Sequence, residues 1–375
     1  MKNKRVCIDV NSIVPYFVRG YMNGVGRTSM ELLEALAEKK ELPFEIVLYS
    51  QNLKGVGGRN LNLPFESKHF YFPYRENWNK IMSLFPVREV LTNSELIHIP
   101  HNFEYVYNPS KVLITLHDAL FMKLDESMFN HAKMRQLVPP LINKCRGIVT
   151  CSEASKRDIT EYMKVEEEKI SVIPWGISRK VFFREEKDIV ESFNRSHLLE
   201  RPYFTMVSCN EGRKNTISLL RAFRLYLNAG GNFDLVLLWG NPPSSILNEF
   251  SSEMKSKRVR FLSPVDESGL RALYTGAKAS FFPSKYEGFG LPVLESLACG
   301  TPVVTCRNSS LEEVGGNVAF YTEPEDLERM AQYMIDFEKN SYNYSEIRET
   351  AETHLLKFSW EKAAASYIDF YSRYF

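Results

Sequence analysis

The chain has 375 residues, of which 44% are hydrophobic, 25% charged and 13% aromatic, enough apolar material for two cores at roughly 100–200 residues per domain. Its 47 basic and 46 acidic residues leave a formal charge of +1, which excludes the basic footprint of a nucleic-acid binder and, with that apolar content, intrinsic disorder. The balance is uneven along the chain: residues 1–190 hold 27 Lys and Arg against 23 Asp and Glu, and the remainder 20 against 23, so the first half leaves room for an anionic acceptor or a membrane surface beside it.

Short β-branched or apolar runs alternate with helix-length amphipathic stretches, the pattern of α/β domains with parallel sheets. Strands are predicted at 5–10, 44–50, 96–100, 111–118, 147–152 and 169–174, with helices at 28–40 and 153–163 among those between them. Ser152 before EAS supplies a helix cap at a strand end. Residues 175–202 are charged, lack a strand pattern and end in Pro202, which reads as a linker. A second series of strands follows at 203–209, 233–240, 258–264, 279–284 and 301–306, with helices at 215–230, 266–277 and, last, 359–374.

The expected fold is therefore α/β, with two Rossmann-like, doubly wound parallel-sheet domains facing each other across a cleft. The first spans 1–185, with the final helix (359–375) packing back on it; the second spans 200–358. No run approaches the ~20 apolar residues that span a bilayer. Asp9 and Asn11 interrupt the apolar stretch behind the basic start too early for a signal peptide. Six cysteines form no C-x-x-C pair and read as reduced thiols. A cytoplasmic location follows, with peripheral membrane contact open to it.

Chemistry concentrates in PSKYEGFGLPVLESLACGTPVV (283–304), where a strand runs through a glycine-bearing loop into a short helix. Pro292 suits a first helical turn and Gly300 a C-terminal cap. The loop backbone at Gly288–Gly290 and the helix N-terminus present N–H groups suited to a diphosphate or sugar hydroxyls. Glu287 and Glu295, eight apart, each offer a carboxylate to vicinal hydroxyls. In EGRKN (211–215), Arg213 and Lys214 lie after a strand and before a helix, where the helix dipole already favours an anion. Gly24 and Gly26 lie in a loop after the first strand but lack the third glycine of a dinucleotide fingerprint. His117 and Asp118 end a strong strand; His98 and His101 flank another strand end and read equally as structural or acceptor-side.

In order along nearly its whole length, the chain resembles the family-4 glycosyltransferases of the GT-B fold. The resemblance rests on NGVGR (23–27), TLHD (115–118), CSEASKRDI (151–159), KISVIPWGI (169–177), EGRKN (211–215), the E287-G-F-G-L-P-V-L-E295 element, SSLEEVGG (309–316) and FSWEKAA (358–364). It implies retaining transfer of a hexose from a nucleoside-diphosphate sugar to a glycan or lipid-linked glycan in cell-surface polysaccharide synthesis. The donor expected first is GDP-mannose, as in bacterial polysaccharide mannosyltransferases, with UDP-hexoses next.

Its implied roles are specific. Glu287 contacts donor-sugar hydroxyls and Glu295 the ribose, facing inward on its helix. Backbone amides of Gly288, Phe289 and Gly290 hold sugar and phosphate, with Leu291 near the nucleotide. Arg213 and Lys214 neutralise the diphosphate, Gly24 and Gly26 let the backbone approach it, and VSC (207–209) stands where the family often has a further basic or glycine-bearing contact. His117 reaches the donor sugar and reacting centre, and Asp118 orients it. No D-x-D cluster or His/Cys set suggests a metal, so no cofactor is expected beyond the nucleotide-sugar co-substrate. An epimerase or hydrolase of the same fold and a non-catalytic partner subunit are the alternatives. NSIVPYFVRGYM (11–22), 53–65 and the aromatic-basic FYFPYRENWNK (70–80) are the candidate acceptor surfaces.

Overall fold

The computed structural model describes residues 4–20, 24–124, 131–209 and 212–375. Two compact units divide the chain, one of Met1–Gly176 with Ser359–Phe375 and one of Ile177–Phe358.

The first unit is built on a parallel sheet of β1 (Arg5–Asp9), β2 (Glu45–Gln51), β3 (Glu66–Phe70), β4 (Leu96–Ile99), β5 (Val112–Thr115), β6 (Gly147–Thr150) and β7 (Ile170–Val172), in the order 3-2-1-4-5-6-7. Its central strands are apolar along their length because helices cover both faces; Val6, Leu96 and Leu113 pack on one side, and Cys7, Ile97 and Ile114 on the other. β3 escapes the sequence pattern because it is a polar edge strand, ESKHF, held partly by Arg5 pairing with Glu66.

The second unit carries β8 (Tyr203–Val207), β9 (Asp234–Leu238), β10 (Val259–Leu262), β11 (Ala279–Phe282), β12 (Val303–Cys306) and β13 (Phe320–Thr322), all parallel, in the order 10-9-8-11-12-13. Strand order reverses beside β8 and β11, and ligands of open parallel sheets bind outside the carboxyl ends of the strands at such a reversal. The loops leaving β8 and β11 carry Arg213–Lys214 and Glu287. In the first unit the reversal lies between β1 and β4.

Two expected boundaries move. The first unit ends at Gly176, not 185, and the second begins at Ile177, not 200. The expected linker holds a helix, Lys187–Ser196, whose Val190 and Phe193 pack against Tyr203, Ala272 and Leu273. Buried Glu185 just before it pairs with Arg271 at 2.8 Å. Its outward charges hid a short apolar stripe.

The last helix, Trp360–Ser372, lies on the helix Gly24–Ala37 and places Trp360, Tyr367, Phe370 and Tyr371 in the first core. Gly176 is required where the chain passes beneath it: a Cβ there would lie 2.2 Å from the Trp360 backbone nitrogen. His98, wholly buried, bridges Tyr371 Oη (2.8 Å) and Thr115 Oγ1 (2.8 Å). It is a core residue joining this helix to the sheet, which decides its role.

Candidate active site

The second unit assembles most of the chemistry. A single 3-10 turn, Gly212–Lys214, follows β8, and Asn215, in the left-handed region (φ 59°), starts the helix Thr216–Asn228. Asn215 Nδ2 donates to the carbonyls of Pro283 (3.1 Å) and Pro324, and Lys285 N donates to Arg213 O at 2.7 Å. The basic turn is thereby tied to the loop leaving β11.

Across that tie, Arg213 Nη1 lies 2.6 Å from Glu287 Oε2 and Lys214 Nζ lies 2.8 Å from Oε1. Arg213 Nη1 also donates to Tyr286 O at 3.1 Å, and Lys214 sits 4.7 Å over the Phe282 ring. Glu287 is only 7% exposed. Burial opposes its ionisation, but Lys214 and Arg213 outweigh that and hold its pKa below the ordinary glutamate value. The three residues form a compact clamp of net charge +1.

The loop is pinned from behind. Ser310 Oγ lies within hydrogen-bond reach of both Glu287 O (2.9 Å) and Phe289 O (2.7 Å), and Glu287 N donates to Ser309 Oγ at 3.0 Å. Gly290 adopts φ +115°, and a Cβ there would come 2.8 Å from Leu311 Cδ2. Only glycine suits this position. The helix Leu291–Ala298 follows, with Pro292 in its first turn and Gly300 left-handed (φ 74°) after its end, as predicted. Phe289 is buried edge-on to Phe358, and Leu291 is half-buried at the first helical position. Glu295 faces inward, 5% exposed, and receives the Tyr274 hydroxyl at 3.4 Å. The two glutamates thus sit in different surroundings, one gripped by cations and one beside a phenol.

In the first unit, His117 follows β5 and is 6% exposed. Asn102 Oδ1 accepts from its backbone N (2.8 Å), and Ser155 Oγ and Cys151 Sγ donate to its carbonyl. Its Nε2 lies 3.3 Å from Pro100 O, so that nitrogen carries the proton. The buried Nδ1 has no partner among the described residues. Burial, reinforced by the nearby His101, brings its pKa down to about 4, so the ring is neutral near pH 7 with a lone pair on Nδ1.

Asp118 Oδ1 accepts from Leu120 N at 2.9 Å and shapes the turn into the next helix, and Pro100 O lies against His117 Nε2. Short polar side chains favour this local bond. Gly24 and Gly26 differ from expectation in placement: they lie in the helix Gly24–Ala37, not in a loop. A Cβ at Gly24 would meet nothing within 4 Å among the described residues, and Gly26 is buried. Asn23, Glu211 and residues 21–22 of the first candidate acceptor surface lie outside the described residues.

Sequence reasoning did not assign Ser309, Ser310, Asn215, Asn102 or Tyr274, although SSLEEVGG and EGRKN contained three of them. Tyr274 aside, their signal is a small polar residue in a loop, which has no periodicity to betray it.

Two such parallel-sheet α/β units are the architecture of the GT-B glycosyltransferases. The profile described as "Glycosyl transferases group 1" matches residues 189–354, and "Glycosyltransferase Family 4" matches 22–181. The "O-antigen chain mannosyltransferase B" of Escherichia coli is 25% identical over 385 residues, covering 93% of this chain and 96% of that protein. Among solved structures, a glycosyltransferase from Rickettsia africae ESF-5 superposes with a TM-score of 0.76 at 16% identity, covering 100% and 99% of the two chains. Anabaena Alr3699/HepE in complex with UDP and glucose gives 0.71 at 15%, covering 99% and 100%. The chain belongs to the family-4 glycosyltransferases of the GT-B fold. Among the described residues no helix is long and apolar enough to cross a membrane.

Proposed function

We propose that the enzyme transfers mannose from GDP-mannose, with retention of anomeric configuration and without a metal, to a glycan or lipid-linked glycan during cell-surface polysaccharide synthesis. The observation that carries this reading is the Arg213–Glu287–Lys214 clamp, because it supplies two cations for a departing diphosphate and a fixed carboxylate for a sugar. The likeness to an O-antigen mannosyltransferase supports the choice of mannose.

In this reading the donor diphosphate draws Arg213 and Lys214 toward its own charge, and Glu287 exchanges cation contacts for donor-sugar hydroxyls. The bond from the anomeric carbon to the diphosphate oxygen breaks while one to the acceptor oxygen forms on the same face. The acceptor proton passes to the departing diphosphate oxygen. The protein contributes charge placement and orientation. Glu295 takes the ribose hydroxyls, the amides of Gly288, Phe289 and Gly290 hold sugar and phosphate, and Leu291 borders the nucleotide. Gly24, exposed, leaves backbone accessible to phosphate, and Gly26 lies buried in the same helical turn. Neutral His117 offers Nδ1 to a donor-sugar hydroxyl. Catalysis takes place in the cytoplasm, in peripheral contact with the membrane that carries the acceptor.

Thermal-shift titration with GDP-mannose, UDP-glucose and UDP-galactose tests the donor, since only a ligand bound to the folded state raises the melting temperature. GDP-mannose is expected to give the largest rise; a larger one from a UDP-sugar would reassign the base. Glu287→Ala is expected to cut transfer by at least about 10³-fold, in the range of losing a preorganised charge contact, with folding retained. Undiminished turnover would refute its role.

A further inference from the structure

We propose that a pocket of the first unit, walled by Tyr74, Phe103 and Tyr105 and floored by Glu104, binds a neutral pyranose of the acceptor and turns anionic sugars away. This fixes the charge class of the acceptor sugar in the reading above and rests on that reading. The pocket measures about 310 Å³ and lies between the segment leaving β4 and the helix His131–Lys144, at the low end of small-ligand sites in size. The same segment holds His117: Pro100 O lies against its ring, and Asn102 Oδ1 accepts from its backbone nitrogen. Phe103 and Glu104 come next in the chain, so the pocket adjoins the strand end that carries His117.

Aromatic walls over a buried carboxylate suit a sugar ring. A pyranose has a face of C–H groups, whose partial positive charge matches the negative face of an aromatic ring, and a rim of hydroxyls that can donate to a fixed acceptor. Phe103 and Tyr105 meet edge to face with centroids 4.9 Å apart, so each holds the other's orientation. Glu104 is 4% exposed. Its Oε2 accepts from Tyr74 Oη at 2.5 Å and its Oε1 from Tyr105 N at 2.8 Å, which ties the walls to the floor. Asn79 Nδ2 and Arg88 Nη2 both stand off at 3.5 Å, and His101 Nε2, at 4.0 Å, is out of hydrogen-bond reach. A sugar hydroxyl can therefore supply a shorter bond than these neighbours do.

Charge sets the class of sugar. Arg88 is shared between two buried carboxylates, Asp9 at 3.2 Å and Glu104 at 3.5 Å, so one positive and two negative groups leave a net charge of −1 at the floor. Of the cations that line the pocket, Lys133 pairs with Glu76 and Arg75 is exposed to water. An entering carboxylate or phosphate would meet a like charge in surroundings that screen it less than water does. Hydroxyls, by contrast, bring the donors that Glu104 can use.

The test is saturation-transfer NMR on the full chain at pH 8, where an ordinary imidazole is neutral. The probes are methyl α-D-mannopyranoside, methyl β-D-glucopyranoside and methyl β-D-glucuronide, the last two differing only in a hydroxymethyl against a carboxylate. The neutral glycosides are expected to bind about tenfold more tightly than the glucuronide, in line with one charged contact. Glu104→Gln should bring the two classes within about threefold of each other, and Tyr105→Ala should weaken binding of both neutral probes several-fold. Because the first readout is a ratio, it survives a partly unfolded Glu104→Gln sample. Equal binding of glucoside and glucuronide by the parent, an unchanged ratio in Glu104→Gln, or no saturation of either neutral probe would overturn the proposal. So would undiminished binding in Tyr105→Ala, which would place the sugar elsewhere on the protein. The rise in melting temperature with GDP-mannose should be the same in Tyr105→Ala as in the parent. That titration reports on the transferase reading alone, so the two can fail independently.

Discussion

Glu287 holds two cations in a nearly dry loop, and that arrangement carries a cost and a use. Breaking a buried ion pair by removing one partner leaves uncompensated charge, so the three side chains are energetically interdependent. A diphosphate can relieve the same imbalance by replacing the carboxylate as partner, which makes the clamp a preformed seat for it. Buried histidines make a different demand. Burial, with His101 and His117 nearby, brings His98 down to about 3, and His117 is brought down to about 4. Both take up a proton in the unfolded chain near pH 6.5 before they do so in the folded one. Stability is therefore complete above about pH 6.5 and declines as pH falls toward 4, because the unfolded state binds more protons in that window. Urea melts at pH 7 and pH 5 should show the loss, on the order of 1–3 kcal/mol for each histidine. His98→Gln should flatten the slope by about one proton while lowering stability at pH 7. An unchanged slope would mean that His98 does not titrate in this way.

At the level of elements, the loop from Glu287 to Gly290 joins a strand to a helix and is fixed on both sides. Ser309 and Ser310 hold its backbone, and Gly290 makes a turn that no side chain fits. Gly290→Ala is expected to cost about 1–3 kcal/mol of stability, from left-handed strain and the clash with Leu311. It should also lower turnover by moving Glu287. Chemical denaturation and donor titration check the two effects, and a variant as stable and active as the parent would contradict the geometry.

The same elements show what could be read from the chain. Runs such as VLIT at 112–115 and VVTC at 303–306 are apolar because both sheet faces are covered, and such strands declare themselves. β3 did not, because an edge strand needs to satisfy only one neighbour and one partly covered face. β13, three residues long, gave too little pattern. Arg213, Lys214, Glu287 and Glu295 were legible because their chemistry sits in a recognisable order of strand, loop and helix. Gly24 and Gly26 were misread because glycine is so often a loop residue, and here the helix begins on them.

On the scale of the whole molecule, the first unit is discontinuous in sequence: residues 177–358 are inserted before its last helix. The chain leaves and returns at neighbouring points, where Ile177 N donates to Phe358 O at 3.0 Å. Deleting residues 359–375 removes Trp360, Tyr367, Phe370 and Tyr371 from the first core and strands His98 without Tyr371. Losing even one such buried aromatic typically costs ~3–5 kcal/mol, so the first unit should lose its fold while the second keeps its own. Limited proteolysis should then leave a resistant fragment near 177–358; equal resistance of both units would count against this division.

The late arrival of that helix also bears on how the protein is made. A ribosome releases residues 177–358 before the seventeen that complete the first core, so the inserted unit can close while the one begun earlier still waits. Until those residues emerge, one face of the first sheet lacks part of its cover. Over that interval it is an exposed apolar surface on the newborn chain, and a place for a chaperone to hold.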